Sequence, residues 1–242
     1  MSLFILTGAS RGLGAALAAR LLRDGHEVVA IARGDDPGLA AGSGRLHWIR
    51  RDLGALDGLA GWMAELMGSF AAQPSRLILN AGMIEPIAAA SALDDGAVEE
   101  HLRVNLASPM LLASGFLRAT ANAPHERRLM AISSGAARRG VPHWSAYCAA
   151  KAGLDNFIRS VNAETAHQPD AAPLRAASVA PGVVDTAMQA TLRATPFPGD
   201  GRFHELHQTG GLSSPDDAAA KLLVLLERDD FGDREIADIR DA

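Results

Sequence analysis

LFILTGASRGLGAALAARLLRDG, residues 3–25, decides the fold. LFILT is an unbroken apolar run closed by Thr7. It reads as a strand buried on both faces, since a strand with one wet face alternates apolar and polar residues. Glycines follow at 8, 12 and 14, then leucines and alanines at helical spacing until Gly25 ends the run. Strand, glycine turn and helix open a βαβ unit. Glycine lets backbone amides approach a pyrophosphate closely, and a helix start favours its negative charge. The spacing is G-x-x-x-G-x-G, which departs from the G-x-G-x-x-G dinucleotide fingerprint. Gly8, Ser10, Arg11, Gly12, Leu13 and Gly14 are the candidate phosphate cradle.

The same alternation runs down the chain. EVVAIA, RLHWI, RLILN, RLMAIS, LRAASVA and EIADI read as further strands. Helical stretches lie between them, including LDGLAGWMAELMGSF, most of residues 94–120, SAYCAAKAGLDNFIRSVNAETA and SPDDAAAKLLVLLE. Strands alternating with helices predict an α/β fold, a parallel sheet with helices on both faces. No repeat or linker marks a second domain, so residues 1–242 are read as one. Residues 34–44, GDDPGLAAGSG, read as a loop. Residues 189–213 read as irregular and too long for a connector, which predicts a substrate lid over 186–213;.

Composition excludes several classes. The 242 residues are 48% hydrophobic and 21% charged, with a net charge of −5. No run of lysine or arginine suits a nucleic-acid or anionic-membrane partner;. No apolar run approaches the ~20 residues of a membrane helix, and the short apolar N-terminus lacks the basic lead of a secretory signal;. Cys148 is the only cysteine, which rules out an intramolecular disulfide and fits a cytoplasmic protein;. His204, Glu205 and His207 lack a third convincing partner for a metal site;.

The strand after the first helix bears on the cofactor. An NAD site usually carries an acid there for the ribose hydroxyl. Here Arg33 ends the strand, and Arg11 sits in the glycine turn. Two guanidiniums suit the 2′-phosphate of NADP(H). Asp35 and Asp36 follow closely, so NAD(H) stays open.

Tyr147, the only tyrosine, lies four residues before Lys151 in SAYCAAKAG. That spacing puts both side chains on one helical face. An ammonium there would stabilise a phenolate and lower a phenol pKa from near 10. The pair keeps company with Ser134 in RLMAISSGA, Asn105 in RVNLASP, Asn80, Ala81 and Gly82 in LILNAG, and Pro181, Gly182, Val184 and Thr186 in VAPGVVDTAM.

With these motifs in order, the chain resembles the short-chain dehydrogenase/reductase family from Thr7 to about Glu227. NAGMIEPI, ISSGAA, WSAYCAAKAG and APGVVDTAMQ look most like its sepiapterin-reductase and benzil-reductase branch. The resemblance implies a seven-stranded Rossmann fold, a nicotinamide cofactor and a small carbonyl substrate. It implies a catalytic tetrad of Asn105, Ser134, Tyr147 and Lys151, with Tyr147 as general acid. Asp52 and Leu53 would meet the adenine, Asn80, Ala81 and Gly82 the adenosine ribose, and Pro181 to Thr186 the nicotinamide. The tail REIADIRDA lacks the family's frequent glycine-rich end, so a homodimer through residues 100–120 and 145–167 stands beside a homotetramer.

Trp144 and Met188 could wall a substrate pocket or simply pack, as could Phe197 and Phe203. Cys148 reads as packing, Asp216 and Asp217 as helix caps, and Glu126–Arg128 as a solvated corner. The reading is an NADP(H)-dependent reductase of a ketone or vicinal diketone. Its rivals are an NAD-dependent secondary-alcohol dehydrogenase and a non-catalytic dinucleotide sensor.

Overall fold

The computed structural model describes residues 1–40, 42–70, 73–165, 167 and 172–240. In chain order the elements are β1 (Leu3–Thr7), α1 (Gly12–Arg23), β2 (Glu27–Ala32), β3 (Arg45–Arg50), α2 (Leu59–Gly68), β4 (Ser75–Leu79), α3 (Asp95–Leu102), α4 (Ser108–Ala119), β5 (Arg127–Ile132), α5 (Ser145–Thr165), β6 (Leu174–Ala180), α6 (Ala187–Ala194), α7 (Gly201–Gln208), α8 (Pro215–Glu227) and β7 (Ile236–Asp238).

The strands form one seven-stranded sheet in the order β3-β2-β1-β4-β5-β6-β7, and every neighbouring pair is parallel. After β1 the chain builds outward through β2 and β3, then returns to lay β4 on the other side of β1. Connections therefore leave the C-terminal ends of β1 and β4 in opposite directions and open a crevice there, the usual ligand position in such sheets.

Successive residues of a strand point to opposite faces, and here both faces are covered. Phe4 and Leu6 of β1 pack with Leu17 and Leu21 of α1 and Leu222 and Leu226 of α8. Leu3 and Ile5 pack with Met63 of α2, Phe116 of α4, and Leu154 and Ile158 of α5. That is why LFILT carries no polar alternation. Each such large apolar side chain contributes roughly 1.5–3 kcal/mol on burial. At the edge, β3 is more exposed and ends in arginines on both sides, which blunts pairing with another chain.

Three expectations change. Residues 189–213 are not irregular: most of them form α6 and α7. Residues 94–120 are mostly helical, as expected, with a π-helical turn, Arg103–Ala107, between α3 and α4. Arg127 and Arg128 are buried in β5, where Arg128 pairs with Glu126 at 2.6 Å and donates to the Arg228 carbonyl at 2.9 Å. Asp216 pairs with Arg20 and Arg23 of α1 at 2.9 and 3.3 Å. It thus clamps α8 to α1, while Ser214 caps α8 by accepting from the Asp217 amide at 3.0 Å. Within 34–44 no helix or strand occurs among the described residues, and Ala41 lies outside them. No helix among the described residues is long and apolar enough to cross a membrane.

Candidate active site

A cleft of about 1230 Å³ opens over the C-terminal strand ends. Its floor is the turn between β1 and α1. Gly8 lies at φ 73°, in the left-handed region. A side chain on Gly14 would stand 2.1 Å from the Gly8 carbonyl oxygen, so only glycine allows α1 to start this close to the strand. Thr7, at the end of β1, and Asn80, just after β4, brace the turn. The Thr7 hydroxyl accepts from the amides of Asn80 and Ala81 at 2.9 and 3.0 Å. Asn80 Nδ2 donates to the Thr7 and Gly8 carbonyls at 3.0 and 3.2 Å. The result is a bare backbone cradle at a helix N-terminus, which fits the pyrophosphate of a dinucleotide.

Arg11, Arg33, Asp52 and Leu53 line one end of the cleft, together with Ser10, Gly12 and Leu13 of the cradle. Asp52 Oδ1 accepts from the Gly54 amide at 2.9 Å, which shapes the turn after β3. Asp35 is not in the cleft wall; it pairs with Arg50 at 3.1 Å. Asp36 caps its own loop, accepting from the amides of Gly38 and Leu39, each at 3.0 Å.

The other end holds the titratable groups. Tyr147 and Lys151 occupy the first two turns of α5 and are 6% and 4% exposed. Lys151 Nζ donates to the Ile132 carbonyl at 2.8 Å and lies 5.8 Å from the Tyr147 ring centre. Ser134 follows β5, and its hydroxyl accepts from the Ala136 amide at 3.1 Å. Burial pushes the Tyr147 phenol up to about 12, against a smaller downward pull from Ser134. This reverses the expected direction: in the chain by itself, loss of hydration sets the shift, and the neighbouring ammonium is not among the influences on the phenol;. Burial also lowers Lys151 to about 8, while Asp155 opposes the shift.

Asn105 sits in the π-helical turn, 1% exposed, behind the cleft wall rather than in it. Its Oδ1 accepts from the Met83 amide at 3.0 Å and its Nδ2 donates to the Met83 carbonyl at 2.8 Å. It thereby fixes the strand-β4 loop that carries Ala81 and Gly82. A side chain on Gly82 would stand 2.8 Å from Asn105 Oδ1.

Beyond β6, Pro181, Gly182, Val184 and Thr186 line the cleft. Val184 bridges to Ser213, tying both ends of the α6–α7 segment together. That segment brings an aromatic cluster over the phenol. Trp144 stacks on Phe203 at 5.5 Å, meets Phe197 at 5.7 Å and stands edge-on to Tyr147 at 5.8 Å. Met188 and Cys148 pack against this cluster. His143, at φ 65°, makes the sharp turn that seats Trp144 before α5.

The structure thus brings every sequence-predicted site residue except Asn105 into one cleft wall. Sequence reasoning missed His101. It is fully buried one turn before Asn105, faces the Tyr147 ring at 6.0 Å, and contacts Asn105 Nδ2 through Nε2 at 2.8 Å. Its Nδ1 meets the Glu85 carbonyl, so Nδ1 carries the proton and Nε2 accepts from Asn105. Burial lowers its pKa, which keeps this neutral form. The i, i+4 spacing to Asn105 was the available signal.

Fold and cleft together define a dinucleotide-dependent oxidoreductase. Residues 2–196 match the family described as short chain dehydrogenase, and the chain belongs to that family. It is 37% identical over 234 residues to a benzil reductase ((S)-benzoin forming) of Bacillus subtilis, covering 94% of each chain. It is 33% identical over 251 residues to the sepiapterin reductase of Rattus norvegicus, covering 94% of this chain and 92% of the other. The crystal structure of the KRED1-Pglu enzyme matches with a TM-score of 0.82 at 30% identity, over 97% of this chain and 99% of that one.

Proposed function

We propose that the protein is an NADP(H)-dependent carbonyl reductase acting on a ketone, with one carbonyl of an aromatic vicinal diketone as its best substrate class. One observation carries this reading: a buried phenol and ammonium, with a serine hydroxyl beside them, close one end of the same cleft that holds the glycine phosphate cradle. The benzil and sepiapterin reductases among its relatives support the substrate class.

The cradle of Gly8, Gly12 and Gly14 holds the pyrophosphate, and Pro181 to Thr186 with Lys151 hold the nicotinamide end. When bound, the nicotinamide supplies the hydride. Tyr147 gives its proton to the carbonyl oxygen. A phenol held near 12 keeps that proton throughout the neutral range, which suits an acid in the reducing direction. Ser134 donates a hydrogen bond to the same oxygen as negative charge grows there. The Lys151 ammonium stabilises the phenolate left behind, and Asn105 braces the loop facing it. Trp144, Met188, Phe197 and Phe203 form an apolar wall suited to an aryl group, and α6–α7 act as the lid.

NADP(H) is favoured over NAD(H) because Arg11 and Arg33 line the cleft while the competing acids are engaged elsewhere. Asp35 is held by Arg50 and Asp36 by its own loop. The test is consumption of NADPH and of NADH by the wild type with an aromatic vicinal diketone. Turnover that prefers NADPH is expected. Turnover confined to NAD+ with a secondary alcohol, read as NADH formation, would replace this reading with that of an alcohol dehydrogenase.

A further inference from the structure

One buried acid is unused by this chemistry. Asp155 is 3% exposed, on α5 one turn beyond Lys151. Its Oδ1 accepts two hydrogen bonds of 2.6 Å, one from the Ser133 hydroxyl and one from the Ser178 hydroxyl. Both serines are buried themselves, at 3% and 0%. Ser133 directly precedes Ser134, and its amide donates to the Val179 carbonyl at 2.8 Å. Ser178 lies near the C-terminal end of β6. The carboxylate therefore ties α5 to the ends of β5 and β6, next to the turn that presents Ser134.

A buried carboxylate is costly, and two hydroxyl donors on one oxygen would be an odd structural staple where alanine and leucine would pack. Its spacing supplies a reason. Residues four apart on a helix are neighbours, so Asp155 is the counter-charge of Lys151. The charged and titratable groups around Lys151, among the described residues, are few. Tyr147 and Asp155 lie on its own helix and His101 faces it from α3. β5 and β6 present only the neutral Ser133 and Ser178. Among the described residues, no other acid near the ammonium balances its charge.

We propose that Asp155 is a positioning residue for the reduction: it holds Lys151 in its ammonium form and locks the Ser133–Ser134 turn against the helix that carries Tyr147 and Lys151. This rests on the carbonyl-reductase reading above. Without Asp155 the ammonium loses its proton at lower pH, and the support for the phenolate is lost with it.

The sequence makes the test direct. Lys151 and Lys221 are the only lysines, and Lys221 is exposed. Lysine-selective 13C labelling in a Lys221→Arg background leaves one side-chain resonance, whose midpoint reports Lys151 with no substrate present. Asp155→Asn keeps an oxygen for both serines and removes the charge. The expected result is a Lys151 midpoint lowered by about one pH unit, the scale of one nearby charge. The alkaline limb of kcat should move down with it, while KM for NADPH is kept. An unmoved midpoint and limb, with only the melting temperature lowered, would overturn the proposal. If Asp155→Asn does not fold, Asp155→Glu and Asp155→Gln form a pair of equal size that differs in charge; equal midpoints in those two would overturn it as well. If the wild type reduces no carbonyl compound, the proposed function fails, yet the lysine titration still decides on Asp155.

Discussion

Raising the pH on the folded protein tests the buried phenol without any substrate. Tyr147 is the only tyrosine, so absorbance of tyrosinate near 295 nm reports this one residue. With the phenol held at about 12 by burial, roughly 3% is ionised at pH 10.5, against about three-quarters of a free phenol with pKa near 10. Adding denaturant at that pH should release a full step of tyrosinate absorbance. The sign for stability follows. The folded pKa is raised, so the neutral phenol's contribution is complete below pH 10 and is lost as pH rises from 10 towards 12. The unfolded chain binds fewer protons in that window, and about 3 kcal/mol disappears across it. Circular dichroism at each pH separates titration from unfolding. Half-ionisation near pH 10 with the fold intact would show that burial does not raise this phenol.

Other predictions use the same geometry. Lys151, lowered to about 8 by burial, binds fewer protons folded than unfolded between pH 8 and 10.5. Wild-type stability should therefore rise relative to Lys151→Met across that interval in thermal melts, and parallel curves would contradict the shift. Arg33→Ala removes one charge-assisted contact to a 2′-phosphate, worth about 1.5–3 kcal/mol, so KM for NADPH should rise roughly ten- to a hundred-fold while KM for NADH is kept. Thr7→Val leaves the Asn80 and Ala81 amides without their acceptor, at about 1–3 kcal/mol each, and should lower stability in urea titrations and weaken dinucleotide binding. Phe197→Ala, at a position 6% exposed, opens a cavity beside Trp144; a cost approaching the ~3–5 kcal/mol of a core phenylalanine and a raised KM for aryl substrates are expected, with KM for NADPH little changed.

The architecture was legible because each strand buried on both faces wrote itself as an unbroken apolar run, as in LFILT, and each turn carried its glycine. The dinucleotide cradle was legible for the same reason: Gly14 tolerates no side chain against Gly8. The α6–α7 segment was misread because its apolar residues serve a separate small cluster around Trp144 rather than the main core, so its pattern is weak over two short helices. Arg127 and Arg128 misled as charges that look solvated, although their guanidiniums satisfy backbone carbonyls just before β6 and at the end of α8. The direction of the Tyr147 shift needs its depth in the fold, which helical spacing to Lys151 does not carry. His101 and Asp155 escaped because a single buried polar residue has no motif around it; only the partners that satisfy it, Asn105 in one case and Ser133 with Ser178 in the other, reveal it.

The central claim is that Tyr147 delivers the proton during reduction. The most direct measurement is the single-turnover rate of NADPH oxidation with an aromatic vicinal diketone, in wild type and Tyr147→Phe, alongside NADPH binding by fluorescence. The account predicts that the variant binds NADPH as tightly as wild type and loses turnover by two orders of magnitude or more, about the contribution of a placed general acid. Turnover in Tyr147→Phe at close to the wild-type rate would contradict it.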